Sequence, residues 1–302
     1  MNTGRMPALI AGYACWDLVI ETDRWPEPGE KQTMRRQVRC PGGGAANAAR
    51  AAAALGLPCE LAVPIGVDPQ GAELHLALAQ AGIQVKPYNV QETFTNVARP
   101  HEGERDFMRA PPSEYLHPEM FDDLDVRKFC RLHLDGKEPF ALPYARAFHE
   151  AGLPVSLDTN PRDNTDDLLG FVRYAFASEA FFRTKKCSLD EFFDFLRGKG
   201  VQAGGVTFGP KGVCWFAPEE AGETPAFTVD TVDSGGAGDS FNGAIVALSE
   251  LTDWSWQKRI GYASAVGAMM VTQFGNHKFP ALDNITAFMN GRPQEVRPAA
   301  NQ

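Results

Sequence analysis

The sequence predicts an α/β fold: a mostly parallel, doubly wound sheet with helices on both faces. Three observations carry this. Apolar, strand-like runs alternate with helical patterns along the chain, the order that builds parallel sheets. Hydrophobic residues make up 44% and charged residues 22% of the 302 residues, which supplies apolar material for a sizeable core. Two glycine-rich segments each open a helix, as in sheets that collect ligands at the carboxyl ends of their strands. Residues 1–302 are therefore expected to form a single α/β domain carrying an insertion.

The strand-like runs are Ala8–Ala14, Glu60–Pro64, Phe129–Leu134, Pro154–Leu157 and Gly204–Thr207. Between them lie helical patterns at Ala45–Leu55, Gly71–Ala81, Ala141–Ala151 and Leu189–Gly198. Ala226–Val232 leans toward β-branched residues and is expected to be a strand leading into a helix over Ser240–Leu251, apolar at Phe241, Ile245, Leu248 and Leu251. Segments 22–39 and 88–108 break the alternation and are expected to supply short antiparallel strands. The tail 291–302, with two prolines and polar residues, reads as a loosely held end.

A formal charge of −9 argues against a general nucleic-acid binder, which needs a basic face. Arg35, Arg36 and Arg39 are the densest basic cluster and read mainly as a solvated strand face. The six cysteines show no C-x-x-C pair and no zinc spacing, a pattern of free thiols in a reducing cytosol. The apolar stretch after Arg5 is interrupted by Gly12 and Asp17 and reads as a first strand, not a signal peptide. No long uninterrupted apolar run predicts a membrane span. The expected location is cytoplasmic.

The chemistry concentrates in Asp233-Ser-Gly-Gly-Ala-Gly-Asp239-Ser-Phe241. Gly235, Gly236, Ala237 and Gly238 leave the backbone unobstructed, so successive N–H groups can converge on an anion at the first turn of the following helix. At the mouth of that pocket, Asp239 is positioned to take a proton from a hydroxyl attacking phosphorus. Taken alone, the same residues would also suit a plain strand-to-helix turn with Asp239 as its N-cap.

Asp233 to Phe241 resembles the signature of the ribokinase or PfkB family of carbohydrate kinases, D-T-x-G-A-G-D-x-F, with Ser234 in place of Thr. The resemblance implies a ribokinase-like fold with a small β-sheet lid, built here from 22–39 and 88–108. It also implies Asp239 as catalytic base and the amides of Gly236, Ala237 and Gly238 as an anion hole. Pro41-Gly-Gly-Gly-Ala-Ala-Asn47 could be mistaken for a dinucleotide fingerprint, but a polar segment precedes it and Asn47 replaces the third glycine. In the family such a segment lies against the sugar, matched here at Gly43, Gly44 and Asn47. Asp17 resembles the sugar-binding carboxylate, a group with several strong acceptor sites and no donor; on position alone it would also serve as a loop cap.

Val206-Thr-Phe-Gly-Pro-Lys-Gly-Val213 reads as strand, turn, strand and lacks a Walker A ending. It is similar to the family's V-T-x-G-x-x-G segment, which puts Thr207, Gly209 and Gly212 at the nucleotide. The family's N-x-x-E motif, linked to magnesium and phosphate, has no match in Phe182–Glu191, where Lys185 or Lys186 could carry the positive charge instead. The ketohexokinase-like and sulfosugar kinase branches depart at the same place. Metal ligands are left unassigned. Asp158-Thr-Asn160-Pro-Arg162 resembles D-x-N-x-R stretches of sugar and sugar-acid kinases and equally suits a turn with a surface Arg. Gln273–Pro280 reads as the loop over the nucleotide base, with His277 facing solvent.

The expected activity is ATP-dependent phosphorylation of a hydroxyl of a small sugar or sugar derivative, with ATP and Mg2+ as cofactors and a monovalent cation left open. The alternatives are a nucleoside kinase on the same scaffold and a non-catalytic sugar or nucleotide sensor. The resemblance also implies a homodimer through the lid.

Overall fold

The computed structural model describes residues 4–109, 124–136, 140–159, 165–292 and 297–298. The chain opens with β1 (Ala8–Ala11), β2 (Cys15–Glu21), β3 (Arg36–Gly42), α1 (Gly44–Ala54), β4 (Cys59–Gly66), α2 (Pro69–Gln80) and β5 (Gln84–Val90). It continues through β6 (Thr95–His101), β7 (Glu104–Met108), β8 (Arg131–Leu134), α3 (Ala141–Glu150), β9 (Val155–Thr159), β10 (Tyr174–Ser178), α4 (Glu179–Thr184) and α5 (Leu189–Gly198). The remainder is β11 (Ala203–Thr207), β12 (Val213–Phe216), β13 (Ala221–Thr224), α6 (Ala237–Leu251), α7 (Trp256–Met270), α8 (Leu282–Asn290) and β14 (Arg297–Pro298).

A ten-stranded sheet runs β14-β13-β12-β11-β10-β9-β8-β1-β4-β5. From β11 to β5 every pairing is parallel, and β12 to β14 extend it antiparallel. Both faces are covered, as parallel sheets require. In β1, Ala8 and Ile10 join one core cluster with α1, α6 and α7, whereas Leu9 and Ala11 join the other with α3 and α5. This is the α/β architecture expected from the alternation of strands and helices.

The second sheet has the order β3-β2-β6-β7. β2 pairs antiparallel with β3 and parallel with β6, and β6 pairs antiparallel with β7. Its strands lie partly outside 22–39 and 88–108: β2 begins at Cys15, residues 22–35 form no strand, and 88–90 belong to β5 in the large sheet. The run Ala8–Ala14 is divided because the chain leaves the large sheet at Gly12, where a Cβ would collide with the Asp135 carboxylate. Ala226–Val232 is not a strand either. The β12–β13 ladder ends at Thr224, and Val232 and Asp233 donate their amides to the Val271 carbonyl at the end of α7, at 2.8 and 3.2 Å. Within the tail, Arg297–Pro298 pairs with β13; residues 293–296 and 299–302 lie outside the described residues. The six cysteines are free. No helix among the described residues is long and apolar enough to cross a membrane.

Local chemistry starts several helices. Asp68 caps α2 by accepting from Gly71 N at 2.7 Å, with Pro69 behind it. Ser188 and Glu191 form a capping box on α5, whose Phe192, Phe193 and Leu196 are buried. α1 is nearly all alanine and is buried from Ala45 to Ala52. Small side chains let it approach α6 so closely that a Cβ on Gly243 would overlap the backbone of Ala48.

That approach yields a test. In an exposed helix, Gly→Ala gains about 1 kcal/mol from propensity, but overpacking a close contact costs about 1–3 kcal/mol. Gly243→Ala should therefore lower the denaturant midpoint. An increase in stability would contradict the α1–α6 contact.

Candidate active site

A cavity of about 420 Å³ opens at the carboxyl ends of the central strands, where doubly wound sheets bind ligands. Asp158 and Thr159 come from the end of β9, Ser178 from β10 and Thr207 from β11. The small sheet contributes Asp17 from β2, Asn96 from β6 and Arg105 from β7. The N-termini of α1 and α6 both face into the cavity.

α6 begins after Gly236, which has left-handed backbone (φ 72°). A side chain there would be strained and would press on the amides of Asn276 and Asn47, so glycine is required on both counts. Gly235 N is occupied by Asp233 Oδ1 at 3.0 Å. The next amides lie in the first helical turn, where backbone donors have no intrahelical acceptor and the helix dipole favours negative charge. Gly236, Gly238 and Asp239 line the cavity there.

Asp239 is half-buried and accepts a 2.9 Å hydrogen bond from Asn47 Nδ2 through Oδ2. Burial pushes its carboxyl pKa above the ordinary value, the Asn47 bond opposes this, and the charge of Asp17 adds to it. Asn47 Oδ1 is buried without a hydrogen-bond partner among the described residues, leaving an acceptor site for a ligand.

Asp17 is buried at the centre of the small sheet. Register places it opposite Asn96, whose Nδ2 donates to Asp17 Oδ1 at 3.0 Å. Arg105 lies between two acidic groups, with Nη1 3.8 Å from Asp17 Oδ2 and Nε 3.4 Å from Asp233 Oδ1. It packs so tightly on Gly235 that a Cβ there would overlap the guanidinium. Asp233 Oδ2 accepts from Gly275 N at 3.1 Å, tying the loop after α7 to the glycine turn. Arg50 ties the same loop to the other glycine segment: it donates to the carbonyls of Pro41 at 2.9 Å and His277 at 3.1 Å.

Asp158 is displaced in the same direction as Asp239. Its carboxyl pKa stands well above the usual range because it is buried and because Asp239 is a like charge beside it, while Asn242 offsets part of this. Asp135 receives Tyr13 N at 3.1 Å on Oδ2 and also holds Ala45 N, fixing the start of α1.

The nucleotide-side expectations divide. Thr207 lines the cavity, with its hydroxyl donating to Ala177 O at 3.3 Å. Gly209 and Gly212 lie beyond it in a tight turn outside the cavity wall, Gly212 packing against Thr224 and Pro225. The strand-to-helix junction before β11 is Ser178-Glu179, upstream of Phe182–Glu191; Ser178 caps α4 and Phe181 is buried. Lys185 is ion-paired with Asp166 and takes no part in the cavity wall. His277 is exposed, as expected. Asn160 and Arg162 lie outside the described residues.

Asp239, Asp17, Asn47, Gly43, Gly44, Gly236 and Gly238 thus share one cavity. Arg105, Arg109, Asn96 and Asp135 also line it and were not found from sequence. The only signal for Asn96 is its register opposite Asp17, which cannot be seen without the parallel β2–β6 pairing.

Comparison with known proteins agrees with the fold. The model of the pfkB family of carbohydrate kinases matches residues 8–281. An ATP-dependent ribose-1-phosphate kinase from Halopiger xanaduensis is 28% identical over 291 residues, covering 94% of this chain and 98% of that protein. A ribokinase structure from Thermotoga maritima superimposes with TM-score 0.81 at 24% identity, covering 95% of this chain and all of that one. A putative ribokinase II from E. coli, in complex with ATP and Mg2+, superimposes with TM-score 0.77 at 18% identity over 95% of this chain and all of that one. A match of this extent, over a ribokinase-like fold, makes the chain a member of the pfkB family of carbohydrate kinases.

Proposed function

We propose that the protein transfers the terminal phosphoryl group of ATP to a hydroxyl of a sugar or sugar derivative, with Asp239 as general base. One observation carries this: a carboxylate in the first turn of α6, beside backbone donors with no helical partner, shares a cavity with the polyol-binding candidates Asp17 and Asn47. The acceptor oxygen attacks the γ-phosphorus, its proton passes to Asp239, and the bond to the β–γ bridging oxygen breaks to release ADP. The amides of Gly236, Ala237 and Gly238 are placed to stabilise charge growing on the transferred group. Thr207 marks the side from which the nucleotide enters, and the small sheet serves as the lid that excludes water.

Magnesium would accompany the nucleotide. Mg2+ is usually held by one or two carboxylates together with phosphate oxygens and waters, so the absence of a three-ligand acidic or His/Cys cluster among the described residues is compatible with it. Asp158 is the carboxylate suited to that contact, and the ion would neutralise charge on the phosphates.

Asp239→Asn should cut kcat by roughly two to four orders of magnitude in a coupled ADP-release assay across ketoses, aldoses, sugar acids and nucleosides, with nucleotide affinity retained. Near-normal turnover would refute the assignment. Because the Asp239 carboxyl is raised, kcat/KM should fall on acidification at a pH above the ordinary carboxylate range of about 4.

Asp158 gives an independent test in the free protein. Below about pH 4 the group is neutral in both folded and unfolded chains. As pH rises the unfolded chain ionises first, so this residue costs stability that grows toward neutrality. Asp158→Asn should raise the unfolding temperature at pH 7 to 8, with the gain closing toward pH 4. A gain independent of pH, or a loss at neutral pH, would contradict the raised carboxyl.

A further inference from the structure

Two carboxylates are buried where the small sheet meets the start of α6: Asp17 on β2 and Asp233 in the glycine turn, 3% and 2% exposed. Arg105, from β7, reaches both. Its Nη1 stands 3.8 Å from Asp17 Oδ2 and its Nε 3.4 Å from Asp233 Oδ1, on a side chain that is 11% exposed. Charges this deep are poorly screened by water, so they couple strongly. Nε and Nη2 make no hydrogen bond among the described residues, which leaves charge and packing to hold the arginine in place.

The turn is fitted to that side chain. Gly235 stands at the position that the signature D-T-x-G-A-G-D leaves open, and its backbone is not left-handed, so conformation does not demand a glycine there. The guanidinium does: the atoms nearest to a Cβ at Gly235 are Nη1, Cζ and Nε of Arg105. Asp233 in turn accepts from Gly235 N at 3.0 Å and from Gly275 N at 3.1 Å. Arg105 thus closes a junction between β2, β7, the glycine turn and the loop after α7.

The monovalent cation that the family resemblance leaves open would belong beside a buried carboxylate backing the anion-binding turn, and Asp233 is such a carboxylate. An ion of that kind is held by oxygen atoms, as potassium is by backbone carbonyls. Asp233 is met instead by two backbone N–H groups and a guanidinium, and Asn276 brings its Nδ2 donor against Gly236. These residues do not fit the ion. They fit a cation that the chain itself supplies.

We propose that Arg105 is the built-in cation of this site and a positioning residue for phosphoryl transfer: it ties the acceptor carboxylate Asp17 to the turn whose amides receive the transferred group, so that no added monovalent cation is needed. This rests on the phosphotransfer reading of the same cavity. The guanidinium also reaches the base, for burial raises the Asp239 carboxyl and the charge of Arg105 is among the influences that oppose the rise.

Kinetics and thermal unfolding of wild type, Arg105→Ala, Gly235→Ala and the double variant test this. Wild-type kcat should be the same in potassium chloride as in tetramethylammonium chloride. Arg105→Ala should lower kcat by about 10- to 100-fold, the worth of an interaction with a charged group, and should lower the unfolding temperature, because buried Asp17 and Asp233 lose their shared counter-charge. Millimolar guanidinium should restore part of both, since an ion that binds the folded state stabilises it, whereas tetramethylammonium should restore neither. Gly235→Ala keeps the charge and displaces only the flexible end of the side chain, so it stays folded even where Arg105→Ala does not. It should lower kcat on its own and cost nothing further in Arg105→Ala, where the methyl enters the vacated space. Potassium dependence of the wild type, an unchanged kcat in Gly235→Ala, additive losses, or restoration by neither ion or by both alike would overturn the proposal and leave the kinase reading standing. A wild type that turns over no sugar overturns the kinase reading instead. The built-in cation is then judged by the same cycle and rescue read in unfolding temperature, where non-additivity with a guanidinium response supports it and additive losses without that response overturn it.

Discussion

The close packing of α1 on α6 is the constraint on which the site depends. Each helix begins at a glycine turn and delivers one polar residue to the cavity, Asn47 from α1 and Asp239 from α6. Their 2.9 Å hydrogen bond forms where the two helices pack closely, with Gly243 against the backbone of Ala48. The alanines of α1 are therefore part of the chemistry, since larger residues would push the helices apart and separate the amide from the carboxylate. Asn47 orients Asp239 and opposes the rise in its pKa, while burial maintains that rise.

A second constraint is electrostatic. Among the described residues, Asp17, Asp135, Asp158 and Asp239 share a cavity with two arginines on its wall. The protein manages this crowding differently at each carboxylate. Asp17 is held by Asn96 and approached by Arg105, Asp135 is occupied by backbone amides, and Asp158 is kept toward its neutral form. A triphosphate with its magnesium, and a polyol with donor hydroxyls, would supply the partners that the buried atoms of Arg105, Asn47 and Asn276 lack.

The fold class and the core of the site were legible in the sequence because both are written locally. The alternation of strand and helix needs only a short window, and the G-G-A-G-D run places its carboxylate by covalent adjacency. What stayed hidden depends on long-range register. Asn96 meets Asp17 only through a parallel pairing of strands nearly eighty residues apart. Arg105 reads in sequence as an ordinary charged residue of a turn-flanked strand, and only tertiary packing carries it onto Gly235. The strand expected at Ala226–Val232 failed for a related reason: its β-branched residues fit a ladder, but past Thr224 no neighbouring strand is left to pair with, and the chain bonds to α7 instead. The boundaries of the small sheet were misplaced because the exit from the large sheet is set by the Asp135 carboxylate against Gly12, a contact between distant segments.

The central claim is that the amides at the start of α6 receive the transferred group while Asp239 faces the attacking hydroxyl. A crystal structure with a non-hydrolysable ATP analogue, Mg2+ and a bound sugar tests it most directly. The account predicts the terminal phosphate against the Gly236–Gly238 backbone and one sugar hydroxyl within hydrogen-bonding distance of Asp239. A triphosphate seated away from that turn, or a sugar with no hydroxyl near Asp239, would contradict it.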